Sequence, residues 1–196
     1  YVGDRYTTEQ HRQTLKVNGW TFCPVDIMDE EDTLTLPVVG GKWFKKMAVG
    51  SHLPNYNSLV VLTHFKGHTQ GGFGGSNKNI GIGCADGRIG KAWIHTTPGQ
   101  DNQWDIAKEE FMERMTESTK AVVDHFGKHI TYVNVMRNMS VSCDCEGVNA
   151  EPVVTPNVGI LSSTDILALD QACVDLVYAM TEAEHHDLVE RIETRH

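Results

Sequence analysis

The sequence predicts an α/β fold: a mixed, largely parallel sheet flanked by helices, in a single domain over residues 1–196. Three observations carry that expectation. The run "SLVVLTH" (58–64) has strand length and is almost wholly apolar, as in a strand covered on both faces. Residues 103–128 place Ile106, Phe111, Met115, Val122 and Phe126 along one stripe of a long amphipathic helix, which Gly127 stops. Segments of these two kinds alternate along the chain.

The remaining elements follow from local signals. A first helix opens at Thr7 or Thr8, has Glu9 and Gln10 in its first turn, and ends at Gly19. "CPVDIMD" (23–29) and "TLTLPVV" (33–39) read as strands joined by the acidic turn Glu30-Glu31-Asp32. The strand at 58–64 runs into a glycine-rich segment, and loops at the C-terminal ends of such strands are the usual ligand sites of open α/β sheets. A polar Pro/Gly loop covers 95–103. After the long helix come the strands "ITYVNVM" (130–136) and "VGILSS" (158–163). A helix over 163–180, capped by Ser163 or Thr164, turns Ile166, Leu169, Cys173, Leu176, Val177 and Met180 inward. The last helix, 181–196, opens with a capping box, Thr181 with Glu184.

Composition narrows the function. The net charge is −9 and no basic stripe exists, which argues against nucleic acid as a partner because phosphate binding needs clustered Lys and Arg. Lys42, Lys45 and Lys46 read as a solvated face. No apolar run approaches the roughly 20 residues that cross a bilayer, so no membrane partner is expected. The N-terminus carries neither a signal pattern nor an initiator Met, so the chain is read as part of a longer cytoplasmic protein. Five cysteines, an odd number, fit reduced thiols with some acting as metal ligands better than a disulfide framework.

The chemistry concentrates in "THFKGHTQGGFGGSNKNIGIGCADG" (63–87). A Walker phosphate loop fails around Lys78, which is flanked by Asn77 and Asn79, and the dinucleotide fingerprint fails at Asn77. Glycine still lets backbone N–H groups approach a ligand and form an anion-binding nest. Lys66, Gly71, Gly72, Gly74, Gly75 and Asn79 are therefore expected to cradle a small anionic cofactor or substrate, with His68 and Lys78 in catalytic roles. The alternative is a tight crossover in which backbone packs on backbone. His64 and His68 would clasp a metal together only on a helix, which Gly67 and the preceding strand oppose.

"SCDCEG" places Cys143 and Cys145 two apart, on one side of an extended chain, where two thiolates could grip a soft ion or cluster iron. A disulfide between them would close a small, strained ring. Cys84 is expected to join from the glycine segment as a metal ligand, with His64 or His95, and His95 to return to the same cleft. Cys173 reads as core, and His125, His129, His185, His186 and His196 as surface. No C-x-x-C-x-x-C run is present.

"HFKGHTQGGFGGSNKNIGIGC", "CDC" and "VGILSSTDILALDQACVDLV" closely resemble the domain-of-unknown-function family 362, whose members are often described as iron–sulfur centre proteins. "YVGDRYTTEQH…NGW" resembles the segment that precedes those motifs in the family. The resemblance implies a metal ion or iron–sulfur cluster, a redox-linked function and a ferredoxin-like redox partner. Many members insert a ferredoxin module after the glycine segment, whereas here 95–103 is short and lacks Cys. A second resemblance, to the nickel-pincer lactate racemases, rests on the spacing of His68 and Lys78 across "GGFGG". It implies a racemase- or lyase-like enzyme with His68 as acid/base, a cofactor tethered at Lys78, nickel on His95 and His11 as partner base. A non-catalytic binding or scaffold module is the third expectation.

Overall fold

Helix α1 (Thr8–Val17) begins where its sequence signal lies. The Thr7 hydroxyl accepts from the Gln10 N–H, and the Gln10 side chain accepts from the Thr7 N–H, so the capping box satisfies two helix-end donors. The computed structural model to which this helix belongs describes residues 4–97 and 106–195.

The expected strand over 23–29 does not form. The Asp26 carboxylate accepts from the Tyr56 hydroxyl at 2.6 Å and sits 2.7 Å from His52 Nδ1, and Asp29 accepts from the Gly87 N–H. These side chains pin the segment as irregular chain. Strand β1 (Thr33–Pro37) pairs instead with β2 (Lys46–Gly50), antiparallel, Leu36 opposite Met47. Met47, Ala48 and Val49 are wholly buried, and that packing favours β2 over the Pro- and Asp-bearing alternative.

Strand β3 (Leu59–His64) leads through Phe65 into a small antiparallel hairpin, β4 (Lys66–His68) and β5 (Gly72–Gly74). Helix α2 (Ser76–Gly83) follows at once, then α3 (Gly90–His95). The expected loop at 95–103 starts at the last residue of α3, and its residues from 98 on lie outside the described chain, as does the expected helix start at 103. Helix α4 (Lys108–Phe126) buries Phe111, Met115, Val122 and Phe126 on its predicted stripe and ends at Gly127, φ 54°.

Strand β6 (Ile130–Met136) is central. It pairs parallel with β3, Leu59 opposite Ile130, and antiparallel with β7 (Gly159–Ser163), Met136 opposite Gly159. The α/β fold with a mixed sheet is thus as expected, and the sheet is partly parallel, through the β3–β6 pairing. The covering of β3 is not. Helices α2 and α4 lie on the face of Val61, Ile130 and Tyr132, joined there by α5 (Ile166–Tyr178), while Val60 and Leu62 on the other face are 68% and 62% exposed. An apolar strand is thus covered on one face only, among the described residues.

Helix α5 is capped by Asp165, not by Ser163 or Thr164, because its carboxylate accepts from the Leu167 and Ala168 N–H groups. Leu169, Cys173 and Val177 are buried as predicted, but Leu176 is partly exposed. The last predicted helix divides into α6 (Glu182–His185) and α7 (Leu188–Glu193), because His186 takes a left-handed conformation, φ 48°. Its capping box, Thr181 with Glu184, is formed. Phe65, Met136, Met139, Cys173, Val177 and Leu188 make a core cluster apart from the main one around α4. Full burial of a side chain such as Phe65 contributes about 1.5–3 kcal/mol.

Candidate functional site

The glycine segment ends against a carboxylate of the protein itself. At the start of α2 the N–H groups of Ser76 and Asn77 donate to Asp170 of α5 at 2.8 and 2.9 Å, and Asn134 Nδ2 of β6 donates to the same carboxylate at 2.7 Å. A Cβ on Gly75 would lie 2.5 Å from Asp170 Oδ1, so glycine is required there by approach, not by backbone conformation. The other members of the expected cradle also make contacts within the chain. Gly71 N–H donates to His68 Nδ1 at 3.0 Å, Gly72 turns at φ 72° against Ile192, and Gly74 lies under the Lys66 stem. Asn79 Nδ2 donates to the Leu62 carbonyl and the Thr63 hydroxyl, which ties α2 to the end of β3.

One absent side chain brings the chemical groups together. Gly67 N–H donates to the Ser140 carbonyl at 2.8 Å, and a Cβ on Gly67 would lie 1.9 Å from the Val141 carbonyl oxygen. Strand β4 therefore packs directly on backbone 140–141, and the chain emerging from there carries Cys143 to His68. Cys143 then caps a 3-10 turn, Asp144–Asn149, and its N–H donates to the Glu146 carboxylate.

Several donors converge on the buried Cys143 sulfur. The Cys145 thiol lies 2.7 Å away, the Cys145 N–H 3.4 Å and Lys78 Nζ 3.7 Å, and His68 also hydrogen-bonds it. The Cys145 hydrogen bond, the largest influence, holds Cys143 well below the ordinary thiol range, and His68 and Lys78 reinforce it against the cost of burial. The same sharing of one proton pushes Cys145 up. Ligand atoms of His68, Cys143 and Cys145 all lie within 4.8 Å of one another. His68 Nδ1 accepts from the Gly71 and Gln70 N–H groups, which leaves Nε2 as its protonated nitrogen.

Asp144, between the two cysteines, is clamped. Both its oxygens lie 3.0 Å from His64 Nδ1, and Lys66 Nζ is 3.0 Å away. His64 Nε2 donates to the Arg137 carbonyl, so both ring nitrogens are engaged. Burial raises the Asp144 pKa, but His64 and Lys66 outweigh it and hold the carboxyl at about 2. The His64 pKa rises in return, chiefly through its hydrogen bond to Asp144.

The predicted site residues thus divide. His68, Lys78, Cys143 and Cys145 meet. His64 and Lys66 lie next to them, bound to Asp144 rather than to the sulfurs. His95 is buried, with Nδ1 donating to the Lys91 carbonyl, and its ring packs on Phe111, which also stacks on His68. Burial first, and then the His68 and Lys78 charges, lower its pKa. Cys84 caps the far end of α2, where burial pushes its thiol up to about 11. His11 lies among Arg5, Asp29 and Lys91. The site contacts of Asp144, Asp170 and Phe111 were not foreseen from the sequence. A carboxylate inside the Cys-x-Cys motif was the available signal for the first. The other two stood on helices as ordinary residues. A further group, Asp26, Glu30 and His52, also brings ligand atoms within 4.8 Å.

A family model, Domain of unknown function (DUF362), matches residues 1–175, which include every residue of this site. The chain belongs to this family. No curated protein and no solved structure matches it. Among the described residues, no helix of this DUF362 chain is long and apolar enough to cross a membrane.

Proposed function

We propose that this DUF362 chain carries a redox-linked thiolate centre, with Cys143 as the thiolate, Cys145 as its thiol partner, and His68 and Lys78 as the groups that fix the charge on Cys143. The observation that supports this best is the convergence of Cys145, Lys78 and His68 on one buried sulfur. A thiolate is the reactive form of cysteine, and neighbouring cations and donors are what stabilise it. The positive groups beside it suit a small anionic cofactor or substrate, and a ferredoxin-like protein is the redox partner the family resemblance suggests.

A single thiophilic metal ion is the second reading, favoured by the three ligand atoms within 4.8 Å. Two thiolates and an imidazole fit a soft or borderline ion, which would supply a Lewis acid or an electron-transfer centre. Cys143 and Cys145 would hold it, and His68 would join through Nε2 only with its proton moved to Nδ1, at the cost of the hydrogen bonds that Nδ1 accepts from Gly71 and Gln70. A four-cysteine iron–sulfur cluster does not fit this chain alone, because Cys84 and Cys173 are buried elsewhere and Cys23 is exposed outside the group. A cofactor tethered at Lys78 lacks a comparable observation, since that amine faces the Cys143 sulfur.

Thiolate absorbance near 240 nm, followed against pH, tests the first reading. One thiolate should persist to below about pH 5 in the wild type and disappear in Cys143→Ser. Absorbance that rises only near the ordinary thiol pKa of about 8.5 overturns it. Cobalt(II) titration tests the second: a sulfur-to-metal charge-transfer band that needs both cysteines supports it, and its absence removes it.

A further inference from the structure

We infer that Cys143 and Cys145 form a thiol–disulfide exchange pair in which exposed Cys145 meets a disulfide substrate and buried Cys143 resolves the mixed disulfide. This rests on the thiolate reading above and assigns its substrate class and the separate roles of the two sulfurs.

The two sulfurs differ in access. Cys143 is 1% exposed, whereas Cys145, two residues further along the turn, is exposed to solvent. A substrate disulfide therefore reaches only the Cys145 sulfur. The two sulfurs lie 2.7 Å apart, so they need little further approach to bond, although the ring they close is small and strained. Asp144, held by His64 and Lys66, fixes the turn that presents Cys145 outward while Cys143 stays under Lys78 and His68.

The Cys143 thiolate takes the proton of the Cys145 thiol, with which it already shares a hydrogen bond. The Cys145 thiolate attacks one sulfur of a disulfide R–S–S–R, which breaks that S–S bond, forms Cys145–S–S–R and expels R–S⁻. The leaving R–S⁻ takes the proton from Cys143. The Cys143 thiolate then attacks the Cys145 sulfur, forms the Cys143–Cys145 disulfide and expels the second R–S⁻. The two cysteines are oxidised by two electrons and R–S–S–R is reduced by two, to R–SH and R–S⁻. In reverse, an external thiolate attacks Cys145 and expels Cys143, whose surrounding donors make it a good leaving group. In both directions only Cys145 touches the substrate.

The test is exposure of the reduced protein to glutathione disulfide and, separately, to a disulfide-bonded peptide, with intact mass and peptide mapping as the readout. In the wild type the peptide that carries Cys143 and Cys145 should lose two hydrogens and retain no adduct, whatever the exposed Cys23 outside the pair does. Cys143→Ser should retain one adduct on Cys145, because its resolving thiol is gone. Cys145→Ser should retain none on that peptide, because Cys143 is out of reach. Reaction with either disulfide supports the inference, and the faster one tells a small-molecule from a protein source. An adduct retained on Cys143 overturns it, as does a wild type that keeps both thiols reduced. The wild-type result needs no variant, so a variant that fails to fold does not shield the idea. Thiolate absorbance read on the same wild-type sample separates the failures. A low-pH thiolate with no disulfide formed sinks only the exchange pair. No low-pH thiolate sinks the thiolate reading and the exchange pair with it.

Discussion

The first turn of α2 serves two acceptors in different ways. Its backbone N–H groups, on Ser76 and Asn77, go to Asp170, and its Lys78 side chain goes to Cys143. At Asp170 the donors are rigid: two backbone groups and the amide of Asn134, which is itself held by the Ser76 hydroxyl. None of these donors gives up a proton near neutral pH, and the group is sealed between α2, α5 and β6. At Cys143 the donors are an ammonium, an imidazole and a second thiol, all of which can titrate, and one of them faces solvent. Fixed donors suit an anchor, and titratable donors at a surface suit the chemistry proposed for Cys143 and Cys145. The glycine segment, which alone suggests ligand binding, feeds both.

That contrast predicts separable mutants. Asp170→Ala should have the largest effect on stability. It leaves the buried Ser76 N–H and the half-buried Asn77 N–H without an acceptor and the Asn134 amide with only the Cys173 sulfur at 3.4 Å, at roughly 1–3 kcal/mol for each group left unsatisfied, so a loss of about 4 kcal/mol is expected in urea unfolding. A loss below about 1 kcal/mol would show that the network relaxes or hydrates, and the anchor would not be one. Gly75→Ala comes next, at about 2 kcal/mol, because the new Cβ meets the Asp170 carboxylate at 2.5 Å and something must shift. Gly83→Ala is its control. Only the side-chain end of Asn79 lies near, at 3.6 Å, so it should be neutral or stabilising by up to about 1 kcal/mol.

Lys78→Met should invert the pattern. Stability should change by no more than about 0.5 kcal/mol, but losing a cation beside a thiolate should leave roughly tenfold less Cys143 thiolate at the foot of its titration. Absorbance at 240 nm reads this directly. An unmoved titration would mean that Cys145 and His68 alone hold the charge.

Much of the fold was legible because its signals are local. The apolar stripe of α4, the strand patterns of β3, β6 and β7 and the capping boxes at Thr7 and Thr181 depend on residues a few positions apart. The larger failures share one cause, partners distant in sequence, whereas the cap of α5 and the break at His186 are local. Residues 23–29 lost to β2 because Asp26 and Asp29 bond to Tyr56 and Gly87. Helix α2 was invisible because its glycines argue against a helix, and its cap comes from Asp170. For the site, Cys-x-Cys, His68 and Lys78 stood out by type and spacing. Which of the other His and Cys residues would join them did not, because Gly67 packing on Val141 decides what the Cys-x-Cys turn faces.

The smallest effect concerns the clamp on Asp144, and its direction follows from the two pKa shifts. His64 is raised from 6.5 by folding, so what its contact contributes is complete below pH 6.5 and fades as the pH climbs through the raised value. Asp144 is lowered from 3.8 to about 2, so its share is present above pH 3.8 and is lost only as the pH falls toward 2. Both act together from about pH 4 to 6.5. Lys66 keeps its hold on Asp144 throughout that window, and the pair is partly exposed, at 33% for His64 and 54% for Asp144. The contribution should therefore stay below about 1 kcal/mol. Amide exchange at Cys145 and Glu146, whose N–H groups donate to the Cys143 sulfur and carbonyl, is the local readout. After correction for intrinsic rates, protection should be higher at pH 6 than at pH 8.5 in the wild type and the same at both in His64→Phe. A wild type with no difference would mean that the Lys66–Asp144 pair alone fixes the turn, and that the chemistry at Cys145 is set without help from the end of β3.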